Sequence, residues 1–320
     1  MLSVVLPIFN EEAIIPELLR RLNSGLVDVV PAYEVIFVND GSRDRSLELL
    51  STAARKDPHL KIINFSRNFG HQVAITAGID YSSGEAVVVM DADLQDPPEA
   101  ISSLVEKWRE GFDVVYAVRS ERAGESAFKR VTAALFYRLL KRLTQIEIPA
   151  DVGDFRLMSR RAVEAFKSLR ERHRFVRGMV SWVGFRQTAV FYQREARYAG
   201  STKYPLRKMM SFAMDGIASF SFAPLHLATY LGLGAAGMSF FYLVYALWIR
   251  LFTDQAVTGW TSLMVAILFV GGVQLITLGI IGEYIGRIYD EIKQRPLYIV
   301  ADTVGFDPVV MGASVERERP

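Results

Sequence analysis

The sequence predicts an α/β domain built on a mostly parallel sheet, followed by a two-helix membrane hairpin. Three observations lead there. Short apolar runs rich in β-branched residues alternate with segments of helical length through the first part of the chain, the pattern of βαβ units. Each apolar run ends in a polar cluster, and in a parallel sheet such ends collect on one edge. Finally, Gly216–Ile249 and Gln255–Gly282 contain no Asp, Glu, Lys or Arg.

Taken in order, Ser3–Phe9 reads as a buried strand, with Asn10-Glu11-Glu12 and a helix to about Leu22 after it. Glu34–Asn39 is the second strand; Asp40-Gly41-Ser42 follows, and Ser42 or Asp44 can cap a helix reaching Arg55. Lys61–Phe65, the Arg67–His71 loop and a helix over Gln72–Tyr81 form the third unit. Glu85–Met90 is the fourth strand, Pro97–Glu110 a helix whose first turn tolerates proline, and Asp113–Val118 the fifth strand. Ala127–Leu143 reads as an amphipathic helix, Asp151–Met158 as two acids flanking a glycine followed by an extended apolar segment, Arg172–Val183 as a helix and Ala189–Tyr198 as a strand.

The 320 residues carry a net charge of +2, too balanced for a nucleic-acid binder, and the lack of cysteine removes disulfides and thiolate metal sites and fits a reducing compartment. No Gly-x-Gly-x-x-Gly follows the first strand, which disfavours a nicotinamide cofactor. Met1-Leu2-Ser3 has no positive n-region, so no signal peptide is expected. A bilayer core needs about 20 apolar residues per helix, which Leu225–Ile249 and Thr261–Gly282 supply. Basic residues flank the pair (Arg194, Arg197, Lys203, Arg207 and Lys208 before it, Arg287, Lys293 and Arg295 after), whereas the connecting loop offers Arg250. That asymmetry places both ends in the cytoplasm. Leu206–Phe222 mixes charges with Met and Phe and reads as an amphipathic helix at the membrane interface. The expected layout is a cytoplasmic domain over 1–204, an interfacial helix over 205–222, a hairpin over 223–284 with spans near 225–249 and 261–282, and a cytoplasmic tail over 285–320. This is a multi-pass protein of the inner, cytoplasmic membrane, and packed hairpins make a homo-oligomer reasonable.

The candidate site centres on Val87–Glu99. Asp91 and Asp93 lie two apart, so a regular strand would place both on one face of a buried sheet, which disfavours unpaired carboxylates. The strand must therefore end there, with both carboxylates in a cleft. Two hard oxygen ligands at a strand end suit Mg²⁺ or Mn²⁺ with a substrate diphosphate. By itself Asp-x-Asp is short and common, and more often a turn and helix-cap pattern than a metal site.

Leu6–Glu12, Val38–Ser42, Arg67–Gly70, Asp91–Glu99, Asp151–Arg156, and Arg197 with Gly200–Tyr204 together form an ordered set across 1–204. On these residues the chain resembles the polyisoprenyl-phosphate glycosyltransferases, inverting enzymes of GT-A (Rossmann-like) fold that include dolichol-phosphate mannose synthase and the bacterial bactoprenol glucosyltransferases. The hairpin is similar to that of the bacterial branch. The resemblance implies that Pro7, Asn10 and Glu11 surround base and ribose, with Asp40 near, and that Asp91, Ala92, Asp93 and Gln95 line the donor. Asp91 and Asp93 hold the metal. Arg197, Ser201 and Lys203 approach the diphosphate; the family's serine falls at Ser201 or Thr202. Arg119, Arg122, Ser126 and Arg130 approach the lipid phosphate, and Asp154 occupies the position of the family's proposed catalytic Asp. The implied reaction moves one sugar, from UDP-glucose first, or from GDP-mannose or an aminoarabinose donor, onto undecaprenyl phosphate. A processive polysaccharide synthase is a weaker fit, lacking further spans and a Gln-x-x-Arg-Trp motif. A non-catalytic nucleotide-sugar sensor has no use for the full set of site candidates.

Overall fold

A computed structural model of the chain describes residues 1–27, 29–119, 152–193, 221–252 and 259–306. Four strands alternate with helices: β1 (Leu2–Ile8), α1 (Ile15–Leu26), β2 (Tyr33–Asn39), α2 (Ser46–Ala54), β3 (Leu60–Phe65), α3 (His71–Tyr81) and β4 (Ala86–Val89). A 3₁₀ turn at Pro98–Ala100 opens α4 (Ile101–Arg109), and β5 (Val114–Arg119) follows. Then come β6 (Val152–Ser159), α5 (Arg160–Ser168), α6 (Val176–Trp182), β7 (Gln187–Tyr192), α7 (Ala223–Phe252), α8 (Trp260–Ile292) and β8 (Val300–Val304).

The strands form one sheet in the order β7-β5-β6-β4-β1-β2-β3-β8. It is the mostly parallel sheet the sequence predicts, with β6 inserted antiparallel between β4 and β5 and β8 antiparallel on β3. Its two faces bury separate cores. Val4 and Leu6 turn toward Leu18 and Leu22 of α1, Leu50 of α2 and Leu104 of α4. Val5 turns toward Ala74 and Ile75 of α3, Val163 and Phe166 of α5 and Met179 of α6. This alternation is the period-two geometry of a strand covered on both faces.

Proline inside the central strand β1 has a local reason. Val5 O accepts from Met90 N (3.1 Å) and Ile8 O from Asp40 N (2.9 Å), so odd-numbered backbone groups face β4 and even-numbered ones face β2. The β4 ladder ends at Val5↔Val89. Pro7 therefore lacks its N–H where no ladder bond is waiting.

The hairpin is where the charge-free stretches place it. Both α7 and α8 are long and apolar enough to cross a membrane. Leu268 and Leu275 are 68% and 71% exposed, and few residues of either helix are buried, so the pair is not the core of a folded domain. At 33 residues α8 outruns the apolar stretch, being about 50 Å long against a hydrocarbon core of about 30 Å.

The segment expected as a tail over 285–320 does more than trail. Residues 285–292 continue α8, and β8 returns to pair with β3, with Asn64 Nδ2 donating to Asp302 Oδ2 (2.7 Å). Tyr298 stacks on Phe65 at 5.2 Å and donates to Asp80 Oδ2 (3.0 Å), while Phe306 meets Tyr81 edge-on. Arg172 N donates to Glu291 Oε2 (3.1 Å), joining the domain to the end of α8. Periodicity hides β8 because Val300–Val304 is one short edge strand with charge in its middle.

Both links between sheet and hairpin meet the sheet at its carboxyl edge. β7 runs parallel to β5 and ends there at Tyr192. On the return, Ile299 O accepts from Ser66 N (3.0 Å) just beyond the carboxyl end of β3, before β8 runs back along it. The expected helices over 127–143 and 205–222 lie outside the described residues, apart from 221 and 222.

Candidate active site

The loops at the carboxyl edge are tied to one another. Asn10, at φ 54°, accepts from Arg43 N through Oδ1 (2.8 Å), and its N–H donates to Ser42 Oγ (3.0 Å). Glu11 N donates to Ser46 Oγ (2.9 Å). The Asp40 carboxylate accepts from Phe69 N (2.6 Å) and Gly70 N (3.0 Å). Burial pushes the Asp40 carboxyl up, against the pull of those two N–H donors. Gly41 makes the crossing possible: its φ is +67°, and a Cβ there would lie 2.6 Å from Arg67 C. Of the residues expected around base and ribose, Pro7 is buried at the end of β1, while the side chains of Asn10 and Asp40 hold neighbouring loops together.

The reacting end gathers around Asp154. Because β6 runs antiparallel, its start lies at the carboxyl edge, where Asp154 is buried beside Asp91. His71, the first residue of α3, brings Nε2 to 3.2 Å from Asp154 Oδ2 and 3.3 Å from Asp91 Oδ1. α3 lies tight on the sheet: a Cβ on Gly78 would stand 2.1 Å from Val5 Cγ1. Gln72 Oε1 accepts from Val176 N (3.0 Å), which seats the start of α6 against the first turn of α3. Arg177 of α6 then grips Asp154 with both arms, Nε to Oδ1 at 2.9 Å and Nη2 to Oδ2 at 3.3 Å. Behind it Arg156, 1% exposed, donates from Nη2 to Gly153 O (2.8 Å) and stands 3.6 Å from Asp154 Oδ1.

These contacts set the charges. Burial opposes the charge on Asp154, but Arg177 and His71 hold its carboxyl well below the usual carboxylate range. Burial likewise opposes the imidazolium; the Asp154 hydrogen bond and the charges of Asp91 and Asp154 outweigh it and raise His71 to about 9. Burial, with Asp154, Asp96 and Asp93 adding and His71 opposing, raises Asp91 to about 6. A carboxylate held like Asp154 binds a proton weakly, which suits positioning better than general-base work.

The sequence pairs Asp91 with Asp93 as metal ligands. In the structure, ligand atoms of Asp91, His71 and Asp154 lie within 4.8 Å of one another, whereas Asp93 Oδ1 accepts from Gln95 N (3.1 Å) in an Asx turn. Asp91 Oδ1 is buried without a hydrogen-bond partner among the described residues. The carboxylates of Asp91 and Asp154 around such an atom fit a hard divalent cation such as Mg²⁺ or Mn²⁺, which His71 can join as a ligand once it gives up its proton. Ala92 is buried under the loop and Gln95 is half-buried within it. Arg119 ends β5, half-buried, with no hydrogen-bond partner for Nε among the described residues. Arg122, Ser126, Arg130, Arg197, Ser201 and Lys203 lie outside the described residues.

His71, Arg177 and Arg156 are absent from the sequence-based site. His71 closes a loop already singled out, so a single histidine beside Arg67–Gly70 was the available signal. Arg177 had none, since its partner Asp154 is 23 residues away.

Residues 3–166 match the model described as Glycosyl transferase family 2, and residues 223–288 the GtrB C-terminal hairpin. The chain is 56% identical over 305 residues to an uncharacterized glycosyltransferase, YkcC, of Bacillus subtilis (strain 168), covering 95% of this chain and 94% of that protein. It is 45% identical over 299 residues to the SfII prophage-derived bactoprenol glucosyl transferase of Shigella flexneri, covering 93% and 97%. Among solved structures, glucosyl-3-phosphoglycerate synthase from Mycobacterium tuberculosis, in complex with Mg²⁺ and UDP, aligns at a TM-score of 0.47 and 23% identity, over 68% of this chain and 77% of that one.

Proposed function

This chain belongs to glycosyl transferase family 2, and from that premise we propose that it transfers one sugar from a nucleotide sugar, UDP-glucose in the first instance, to a polyisoprenyl phosphate such as undecaprenyl phosphate. The observation that carries the reading is topological. The His71–Asp91–Asp154 cluster sits on the sheet edge from which the chain leaves for the hairpin and to which it returns. An acceptor whose tail stays in the bilayer needs a cleft on that edge. The 45% identity to a bactoprenol glucosyl transferase, over 93% of this chain, supports the same acceptor class and a glucosyl donor.

In the proposed reaction an oxygen of the lipid phosphate attacks the anomeric carbon, the bond from that carbon to the donor diphosphate breaks, and the nucleoside diphosphate leaves. Direct displacement inverts the configuration. A phosphate monoester has a second pKa of about 6 and is largely dianionic at neutral pH, so it needs no strong base. That accords with an Asp154 locked between Arg177 and His71: its work is to fix the geometry of the cleft floor. Asp91, with His71 and Asp154 or with Asp93, would hold Mg²⁺ or Mn²⁺, which when bound supplies positive charge for the leaving diphosphate.

Pro7, Asn10, Glu11, Asp40, Ala92 and Gln95 form the donor side of this proposal. Arg197, Ser201 and Lys203 attend the diphosphate, and Arg119, Arg122, Ser126 and Arg130 the acceptor phosphate. The domain over 1–204 faces the cytoplasm, the two spans anchor it in the inner membrane, and copies associate through their hairpins. The test is to incubate the purified full chain with undecaprenyl phosphate and, in turn, UDP-glucose, GDP-mannose and a UDP-aminoarabinose donor, and to weigh the lipid product. One hexose per lipid from UDP-glucose is expected. A polymer, or no lipid product from any donor, would overturn the reading.

A further inference from the structure

The Asp91–Asp96 loop carries a second buried arrangement beside the cation cluster. Leu94 sits at φ 57°, a left-handed conformation that leucine adopts only under constraint. Its side chain is buried, and two residues on, Asp96 is buried as well. The Asp96 carboxylate accepts a hydrogen bond from the hydroxyl of Tyr192, the last residue of β7. Tyr192 stands edge-on to Phe155 at 5.7 Å, next to Asp154, and is paired in register with Arg119, whose side chain also hydrogen-bonds it. One phenol therefore joins the loop that bears Asp91, the end of β5 and the strand leading toward Arg197, Ser201 and Lys203.

Asp96 is near enough to Asp91 for its charge to act on that carboxylate, so whatever fixes Asp96 also shapes the field at the cation cluster. We propose that Tyr192 and Asp96 are a positioning pair: the phenol holds the Asp96 carboxylate so that the strained loop presents Asp91 to a divalent cation, and the Asp96 charge strengthens that cation's binding. The inference deepens the proposed function and rests on its cation site.

Mn²⁺ is the probe. Its affinity for the full chain, solubilised in detergent with saturating UDP, is measured from the free-ion electron paramagnetic resonance signal, alongside thermal melting of the same samples. Wild type is expected to bind. Tyr192→Phe, which removes a single oxygen, is expected to weaken Mn²⁺ about tenfold or more, the usual scale for groups that orient ligands, with melting within a few degrees of wild type. Asp96→Asn is expected to weaken it at least as much, and adding Tyr192→Phe to Asp96→Asn should change affinity by less than about twofold, because the phenol acts through the carboxylate. A folded Tyr192→Phe whose Mn²⁺ affinity stays within about twofold of wild type would overturn the pair and leave the cation site standing. Wild type that binds no Mn²⁺ would overturn both. Should Asp96→Asn fail to fold, Tyr192→Phe alone decides.

Discussion

Removing Arg177 is the sharpest perturbation of the cleft floor. Arg177→Met keeps the length of the stem and takes away two charge-assisted hydrogen bonds to Asp154, at 2.9 and 3.3 Å. Such contacts contribute about 1.5–3 kcal/mol each where buried. Arg177 is 25% exposed and His71 stays on the same carboxylate, so about 2–3 kcal/mol for the pair is reasonable. If that energy holds Asp154 in its working position, kcat falls about 30- to 150-fold at roughly 1.4 kcal/mol per tenfold. The sign of the pH effect follows from the depressed Asp154 carboxyl. Its charged form persists above its folded-state pKa and is lost as pH falls through it; without Arg177 that pKa rises, so Asp154 loses its charge at a higher pH than in wild type, on the acid side of the limb that Asp91 and the acceptor phosphate set at about 6. Initial rates with undecaprenyl phosphate and UDP-glucose across acid pH read both effects. Arg177→Lys should recover part, keeping charge without the fork. A kcat within about twofold of wild type would refute the reasoning.

Tyr298→Ala removes the stack on Phe65 and the hydrogen bond to Asp80, and should lower stability by about 2–4 kcal/mol; an unchanged melting temperature would mean the segment after the hairpin is not part of the domain. For the same reason, a chain cut after Pro205 should leave β3 with an open edge and aggregate more readily than the full chain, which size-exclusion chromatography checks. Glu34 accepts from Ser3 Oγ (2.5 Å), Lys61 Nζ (2.7 Å) and Ser83 N (2.8 Å). Burial opposes its charge but these bonds prevail and lower its pKa. Its stabilising contribution is thus full above the unfolded-state value and lost as pH falls through the folded one, and Glu34→Gln should flatten that acid loss in melting curves. Arg122→Ala should raise KM for the lipid phosphate while leaving UDP-sugar affinity within about threefold, as calorimetry and acceptor titration together would report.

The parallel strands and the hairpin were legible because each is a local pattern. Val4, Val5 and Leu6 fill both faces of one strand, and Leu225–Ile249 lacks charge altogether. The turn of Asp91 out of the sheet was legible for a physical reason, since two carboxylates cannot stay on a buried face. What stayed hidden depends on contacts between distant segments. That β6 inserts antiparallel, and so carries Asp154 to the same edge as Asp91, is a matter of pairing rather than of composition. His71 and Arg177 acquire meaning only once α3 and α6 meet through Gln72 and Val176. β8 hid because a five-residue edge strand with Asp302 in its middle reads as tail.

The account stands on the catalytic edge being turned toward the bilayer, and the absence of cysteine from the chain makes that directly measurable. Ser66→Cys places a probe beyond the carboxyl end of β3, and Lys56→Cys places one between α2 and β3 at the opposite edge; both positions are exposed. Each variant, labelled with the same fluorophore and reconstituted in nanodiscs, is titrated with lipids that carry a headgroup quencher. Stronger quenching at Ser66 than at Lys56 is expected. Equal quenching, or the reverse order, would contradict a cleft held against the membrane for a lipid-borne phosphate.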